Sequence, residues 1–345
     1  MRPAGVGAAQ GGTGLMDTKR YEFLLEAETP IAHHEETFGN SALFMRRKVR
    51  QPDGSFATVP AITADTMRHG MREAVAYVFL DAAGLIGNPS LSEAALRLLF
   101  AGGMVTGRGD GGAVGLAAYR DMIDLVPSIA LFGGCASNRV IPGRLQVEDA
   151  TLVCEEERRY IPGWVVERME AEGVGLETGR AHLEEVQRVR MDPTLDPGKR
   201  NLLSTVDQAL VEGRLLASEK AHVDDDAVAR QGTKSSMMPR RFERVARGSL
   251  FHWALTATCW TPLDVDTLHT ALAAFLYDAR VGGKKGTGHG KLRAVAAKNI
   301  AVPSHAERVS ELDPKSLAPR AGELFRAHVK ERGERIRTFL AGVDA

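Results

Sequence analysis

Residues 280–293 read Arg-Val-Gly-Gly-Lys-Lys-Gly-Thr-Gly-His-Gly-Lys-Leu-Arg, with five glycines among them. This density makes a loop, and glycine lets backbone N–H groups turn toward a ligand at close range. Successive turned N–H groups form a concave anion site. From Arg280 to Lys298 there are six Lys/Arg and no Asp or Glu. The anion that suits such a loop is a phosphate, and a run of phosphates means nucleic acid. It is not a Walker loop, which needs four residues between its first glycine and Gly-Lys-Ser/Thr. Lys285 stands where that glycine should be, and Leu292 replaces the hydroxyl residue. The plainer reading is a glycine-rich hairpin before a strand at 292–295.

Charge over the whole chain does not decide the matter. The 345 residues hold 44 basic and 44 acidic side chains, so only local clustering points to nucleic acid. The length allows two domains or one elaborated domain. Cys135, Cys154 and Cys259 are far apart with no CxxC, which argues against zinc and disulfides and fits a reducing cytoplasm. No apolar run is long enough to span a membrane. The Gly/Ala-rich start lacks the apolar core of a signal peptide and reads as a disordered tail over 1–18, with Met16 an alternative start.

Along the chain, 21–29 reads as a strand closed by Pro30, 31–40 as a loop and 42–49 as a second strand. Pro52-Asp53-Gly54 is a turn, and 56–60 leads into a helix capped by Thr63 with Met67, Met71, Ala74, Val75 and Val78 on its apolar face. Residues 85–128 look helical, with Ser90 or Ser92 as a cap. Residues 129–132 and 144–153 resume strand character, and 155–159 is a solvated charge run. Residues 166–187 form a polar helix or loop. Residues 188–247 look least globular, and a loop that long is seldom kept without a use. A core strand over 249–258, a helix over 265–276 and a charged helical tail over 318–338 complete the chain.

Several clusters carry chemistry. Gly107 to Gly112 fits GxGxxG, but a dinucleotide site needs a strand before the pattern, and 91–100 looks helical. His33, His34, Glu35 and Glu36 offer metal-ligating or acid–base groups, yet neighbours on a strand point to opposite faces. Arg68 and Arg72 share one helix face. With Arg46, Arg47 and Lys48 they make a second phosphate-facing patch beside the loop residues Gly283, Lys284, Lys285, His289 and Lys291. Around Pro239, Met237 and Met238 are placed to wedge between bases, with Lys234, Arg240 and Arg241 to hold phosphates. No GxSxG or Cys–His arrangement supports a hydrolase.

The order of certain segments is informative. Thr29-Pro30-Ile31-Ala32-His33 is followed by Val59-Pro60, Thr63 and then Arg68-His69-Gly70-Met71-Arg72. Leu131-Phe132-Gly133-Gly134 comes next, then Gly143-Arg144 through Asp149-Ala150, and last the loop 282–290. This order, spanning residues 21–302, resembles the RAMP-superfamily backbone subunits (seven-type Cas proteins) of CRISPR effector complexes, most of all the type IV backbone subunit.

The resemblance implies an α+β fold with a modified RRM/ferredoxin-like βαββαβ palm. The palm would draw on 19–84, 129–187 and 248–345, with helical fingers at 85–128 and an extended thumb hairpin at 188–247. It implies a cytoplasmic, non-enzymatic subunit without cofactor or metal. Its partners would be CRISPR RNA, copies of itself in a helical filament, other effector subunits and, through the guide, target nucleic acid. In type III relatives a loop aspartate after the first strand cuts RNA; residues 31–40 hold no Asp, only Glu35 and Glu36. The rival readings are a metal-dependent endoribonuclease using His33 to Glu36 and a nucleotide-binding enzyme using Gly107 to Gly112. With 6% aromatic residues, a cationic groove with apolar wedges suits RNA better than stacking on sheet aromatics.

Overall fold

The computed structural model describes residues 17–38, 41–87, 91–103, 112–113, 115–136, 139–191, 196–221, 237–301, 308–312 and 322–343. The N-terminal tail through Met16, Lys234 and most of the Gly107 to Gly112 stretch lie outside them. The chain divides into two compact units, Met1–His33 with Met45–Leu183 and Val245–Ala345, and His34–Phe44 with Glu184–Arg244.

In chain order, β1 (Asp17–Ala27) belongs to the first unit, and β2 (His34–Phe38) and β3 (Ser41–Phe44) to the second. The hairpin β4 (Arg46–Arg50) and β5 (Phe56–Ile62) leads into α1 (Ala64–Ala82). Next come α2 (Glu93–Ala101), β6 (Gly112–Ala113), α3 (Leu116–Leu125) and α4 (Ser128–Phe132). Short strands β7 (Gly134–Ala136), β8 (Arg139–Ile141), β9 (Leu145–Val147) and β10 (Ala150–Leu152) precede α5 (Gly163–Ala171). Most of the second unit is β11 (Leu183–Met191), α6 (Pro197–Arg200), α7 (Thr205–Ala221) and β12 (Met237–Val245). The first unit resumes with β13 (Leu250–Cys259), α8 (Pro262–Tyr277), β14 (Leu292–Ala301), β15 (Arg308–Leu312), α9 (Glu323–Glu331) and α10 (Gly333–Ala341).

The main sheet runs β15-β14-β1-β13-β10-β5-β4, with β9 also on β13. Within it, β1, α1, β9/β10, β13, α8 and β14 follow one another as βαββαβ, and the strands lie in the spatial order fourth, first, third, second. That is the ferredoxin-like arrangement, and the fold is α+β with antiparallel pairing between β1 and both neighbours. Alternation along β1 sends Tyr21, Phe23 and Leu25 to one buried face. Phe23 stacks on Trp253 at 5.2 Å, and Trp253 meets Phe275 of α8 edge-on at 5.9 Å. A Cβ on Gly70 would lie 2.6 Å from the Phe275 ring, so glycine lets α1 and α8 pack this closely. The opposite face buries Leu24 with Val153, Ile161, Val165 and Met169 beneath α5.

Thr63 caps α1 as its sequence predicts, its Oγ1 accepting from the Thr66 N–H. Ser92, not Ser90, caps α2, its hydroxyl accepting from the Ala95 N–H. Several expectations are corrected. Residues 129–132 are helical, because a short, wholly buried apolar run has no period to tell helix from strand and Pro127 starts the turn. The strand expected over 42–49 breaks at Met45, whose N–H donates to the His33 carbonyl, and its halves belong to different units. The loop expected over 31–40 contains β2, paired antiparallel with β3. Residues 56–60 lie within a full strand, β5. The charge run at 155–159 is a 3-10 turn that buries Glu157. The terminal helix is split at Arg332 into α9 and α10.

In the second unit the sheet order is β11-β12-β3-β2, with β12 parallel to β3. This unit takes in most of 188–247 together with the 34–44 hairpin. No described helix is long and apolar enough to cross a membrane.

Candidate nucleic-acid interface

The glycine loop joins α8 to β14 and hangs from the segment after β1. The Gly283 N–H donates to the Ala32 carbonyl at 2.7 Å, and the Gly290 N–H to the Pro30 carbonyl at 2.9 Å. Lys291 N–H donates to Thr29 Oγ1 at 2.9 Å. Gly282 (φ +71) and Gly290 (φ +94) are left-handed, and a Cβ on either would strike a carbonyl oxygen, Ala32 O at 2.5 Å and Val281 O at 2.2 Å. Only glycine closes this base. Lys284 is also left-handed (φ 59), the one such non-glycine among the described residues. Its carbonyl accepts from the Thr287 N–H and hydroxyl, at 2.9 and 3.0 Å, closing the 3-10 turn over Lys285–Thr287.

The base is buried and the tip exposed. Residues 283–288 face solvent, with Lys284 and Lys285 among them. His289 is buried, its Nδ1 3.2 Å from the Thr287 carbonyl, so the ring supports the turn rather than the tip. Lys291 pairs with Glu28 at 2.8 Å, which holds that carboxyl below its ordinary range. Arg293 pairs with Glu26 and Glu28, and Arg280 with Asp278. Of the basic run, Lys284 and Lys285 are the cations at the projecting tip.

Arg68 and Arg72 are placed otherwise than expected. Arg68 donates to the Leu145 and Phe132 carbonyls, both at 2.7 Å; Arg72 donates to the Phe132 carbonyl at 2.7 Å and the Gly133 carbonyl at 3.2 Å. Their guanidinium carbons sit 6.0 and 5.5 Å from the Phe132 ring centre. Burial lowers the pKa of both, that of Arg72 to about 10 with Arg68 adding repulsion. They latch α1 to the end of α4, and their helix face turns inward because carbonyls freed at the α4 C-terminus need donors. Gly133 and Gly143 approach so closely that a Cβ on Gly133 would lie 2.6 Å from Gly143 N. Arg144 grips Asp264 with both terminal nitrogens, at 2.9 and 3.0 Å, and lies 4.2 Å over Trp260. These sequence signals are architectural.

On β4, Arg47 pairs with Asp149, whose other oxygen accepts from the Ala64 N–H at the start of α1. Arg46 is half-buried and Lys48 exposed. His33 Nε2 accepts from the Thr63 N–H at 3.3 Å, placing its ring proton on Nδ1. His34, in the other unit, lies 3.0 Å from the Glu243 carbonyl and edge-on to Phe242. Glu35 is exposed on β2, and Glu36 lies on the same strand. Among the described residues, no group of three or more His, Cys, Asp or Glu is placed to hold a metal. Met237, Met238 and Arg240 begin β12; Arg241 follows them, 4.0 Å from Glu185. The sequence reading missed the role of Thr29, Pro30 and Ala32 as the loop's anchors. The adjacency of β1 and β14 that brings them together carries no local signal.

Neither a family model nor a curated protein matches the chain. Among solved structures, a chain of a Type IV-B CRISPR complex is similar over 84% of this chain and 93% of that chain, with a TM-score of 0.48 and 16% identity.

Proposed function

We propose that this chain is a non-enzymatic backbone subunit of a type IV CRISPR effector ribonucleoprotein, holding guide RNA through its phosphates. The observation that carries the reading is the glycine loop, with glycines locked at its base and Lys284 and Lys285 exposed at its tip. A tip of this shape suits a phosphate run through its two exposed point charges, which hold phosphates without reading bases, while the N–H groups of Gly283, Thr287, Gly288 and Gly290 are spent on carbonyls within the fold. Supporting it are the segment order from Thr29 to Gly290 and the βαββαβ palm. Lys48 extends the cationic surface along β4, whereas Arg68 and Arg72 serve the fold. In this reading the second unit is the thumb that meets the next copy in a filament, a heterologous contact that does not close.

The test is purification of the full chain without nuclease. Gel filtration with ultraviolet absorbance then reads size and nucleic-acid content. A large species with RNA of discrete length is expected. A nucleic-acid-free monomer that also ignores added RNA overturns the reading.

A further inference from the structure

The β4–β5 hairpin has a face of which the glycine-loop reading uses Lys48 alone. Its register pairs Arg46 with Pro60, Lys48 with Thr58 and Arg50 with Phe56. Val49 and Val59 are buried, so they mark the inward side. Alternation then sends Lys48, Arg50, Thr58 and Phe56 outward together. The outward residues across from the cations are uncharged. The one nearby turn carboxylate, Asp53, is engaged by the Ser55 N–H and hydroxyl at 2.9 and 2.6 Å.

Phe56 is the anomaly on this face. Its exposed neighbours there, Lys48, Arg50 and Thr58, are polar and Pro60 is buried, yet the ring is 66% exposed. A second exposed aromatic, Tyr160, is tied to the same hairpin at its outer edge: its hydroxyl donates to the carbonyl of Arg50, Phe56's cross-strand partner, at 3.0 Å. Gln51 Nε2 also donates to the Glu156 carbonyl at 3.1 Å, pinning the turn that carries Tyr160 to the hairpin. Arg159, next to Tyr160, is exposed as well. Lysine and arginine on an edge strand are ordinarily a guard against edge pairing. That purpose explains Lys48 and Arg50 but not an exposed ring between them and the turn. Rings interleaved with cations suit a single strand, whose bases stack on aromatics while its phosphates meet the charges.

We propose that the outward face of the β4–β5 hairpin is a second site for single-stranded RNA. Phe56 and Tyr160 receive bases there, and Lys48 and Arg50 hold the adjoining phosphates. The proposal rests on the nucleic-acid reading above and adds a stacking contact to it. It would grip bases where the glycine loop grips phosphates.

The experiment is fluorescence anisotropy of the full chain, freed of nucleic acid, against oligouridine RNA and against an RNA duplex. Phe56→Ala is expected to weaken oligouridine binding about fivefold or more, the loss of one stacked base. Phe56→Tyr should keep the affinity, and duplex binding should not change in either variant. Thermal melts of both variants should match the unmodified chain, since the ring is exposed. The Lys284→Glu, Lys285→Glu double variant separates the two ideas. If that variant loses binding while Phe56→Ala does not, the hairpin site is wrong and the loop reading survives. If Phe56→Ala loses binding and the lysine variant does not, the hairpin stands and the loop assignment fails. Absence of any RNA binding by the unmodified chain overturns both.

Discussion

A Cβ on Gly282 would lie 2.5 Å from the carbonyl oxygen of Ala32. The same oxygen accepts the Gly283 N–H at 2.7 Å, so the loop's base is anchored where any side chain would push it off. Gly282→Ala meets two penalties, the clash and a left-handed backbone costing about 1–2 kcal/mol for an L-residue. The expected result is a modest drop in melting temperature with a larger fall in RNA affinity, because the tip loses its placement while the palm core stays intact. Unchanged RNA binding with an unchanged melt would show that the loop does not depend on this anchor.

Lys284 separates charge from strain. It holds φ 59, where glycine is at ease, and it stands at the exposed tip. Lys284→Gly is expected to preserve or raise stability, by up to ~1 kcal/mol, while weakening RNA binding. In a salt titration, each lysine removed from a phosphate contact should lower the slope of log affinity against log salt by about 0.7. Lys285→Ala provides the paired measurement without the backbone change. Slopes identical to that of the unmodified chain in both variants would remove the tip from the RNA path.

Arg72→Ala tests the latch. Its loss leaves the Gly133 carbonyl short of its donor, while the Phe132 carbonyl keeps Arg68, and removes a guanidinium from the Phe132 ring. Buried groups left unsatisfied cost about 1–3 kcal/mol each. Denaturant unfolding is expected to show destabilisation of ~1–3 kcal/mol. The salt slope of RNA binding should stay that of the unmodified chain. A lowered slope with normal stability would return Arg72 to the phosphate path.

The difference between Arg72 and Lys284 shows what the sequence carried and what it did not. Single elements of the palm were legible because periodicity and caps are local, Thr63 before α1 and the apolar run of β13, whereas the βαββαβ order came only from the resemblance. The glycine loop was legible because glycine density has one conformational meaning. Arg68 and Arg72 were not, since a pair on one helix face looks the same whether it faces water or the carbonyls of α4. The split of His33 from His34 depends on which unit each strand joins, a long-range matter. Phe56 was hidden until the register with Arg50 fixed which side of the hairpin faces out.

Beneath α5, two carboxylates near one imidazole give the fold a pH dependence whose sign follows from their environments. Burial raises the Glu157 pKa to about 7, with Glu156 adding repulsion and His252 partly offsetting it. Burial also opposes ionisation of Glu22, but the His252 imidazole 3.8 Å away and hydrogen bonds from Trp164 and Arg20 prevail and lower it to about 2. Trp164 Nε1 donates to Glu22 at 2.9 Å, fixing the first turn of α5 to the sheet. For Glu157 the folded value lies above the ordinary 4.5, so its contribution is complete below about pH 4.5 and is lost as pH rises through about 7. For Glu22 the folded value lies below 4.5, so its contribution is present above about pH 4.5 and is lost as pH falls toward 2. Stability should therefore peak on the mildly acidic side. Between about pH 5 and about pH 8 the unmodified chain should lose ~1–3 kcal/mol that Glu157→Gln does not lose, since the amide cannot ionise. Urea unfolding of both proteins at the two pH values reads this directly. Parallel losses in the two proteins would mean that Glu157 is already ionised across the range and that another group sets the slope.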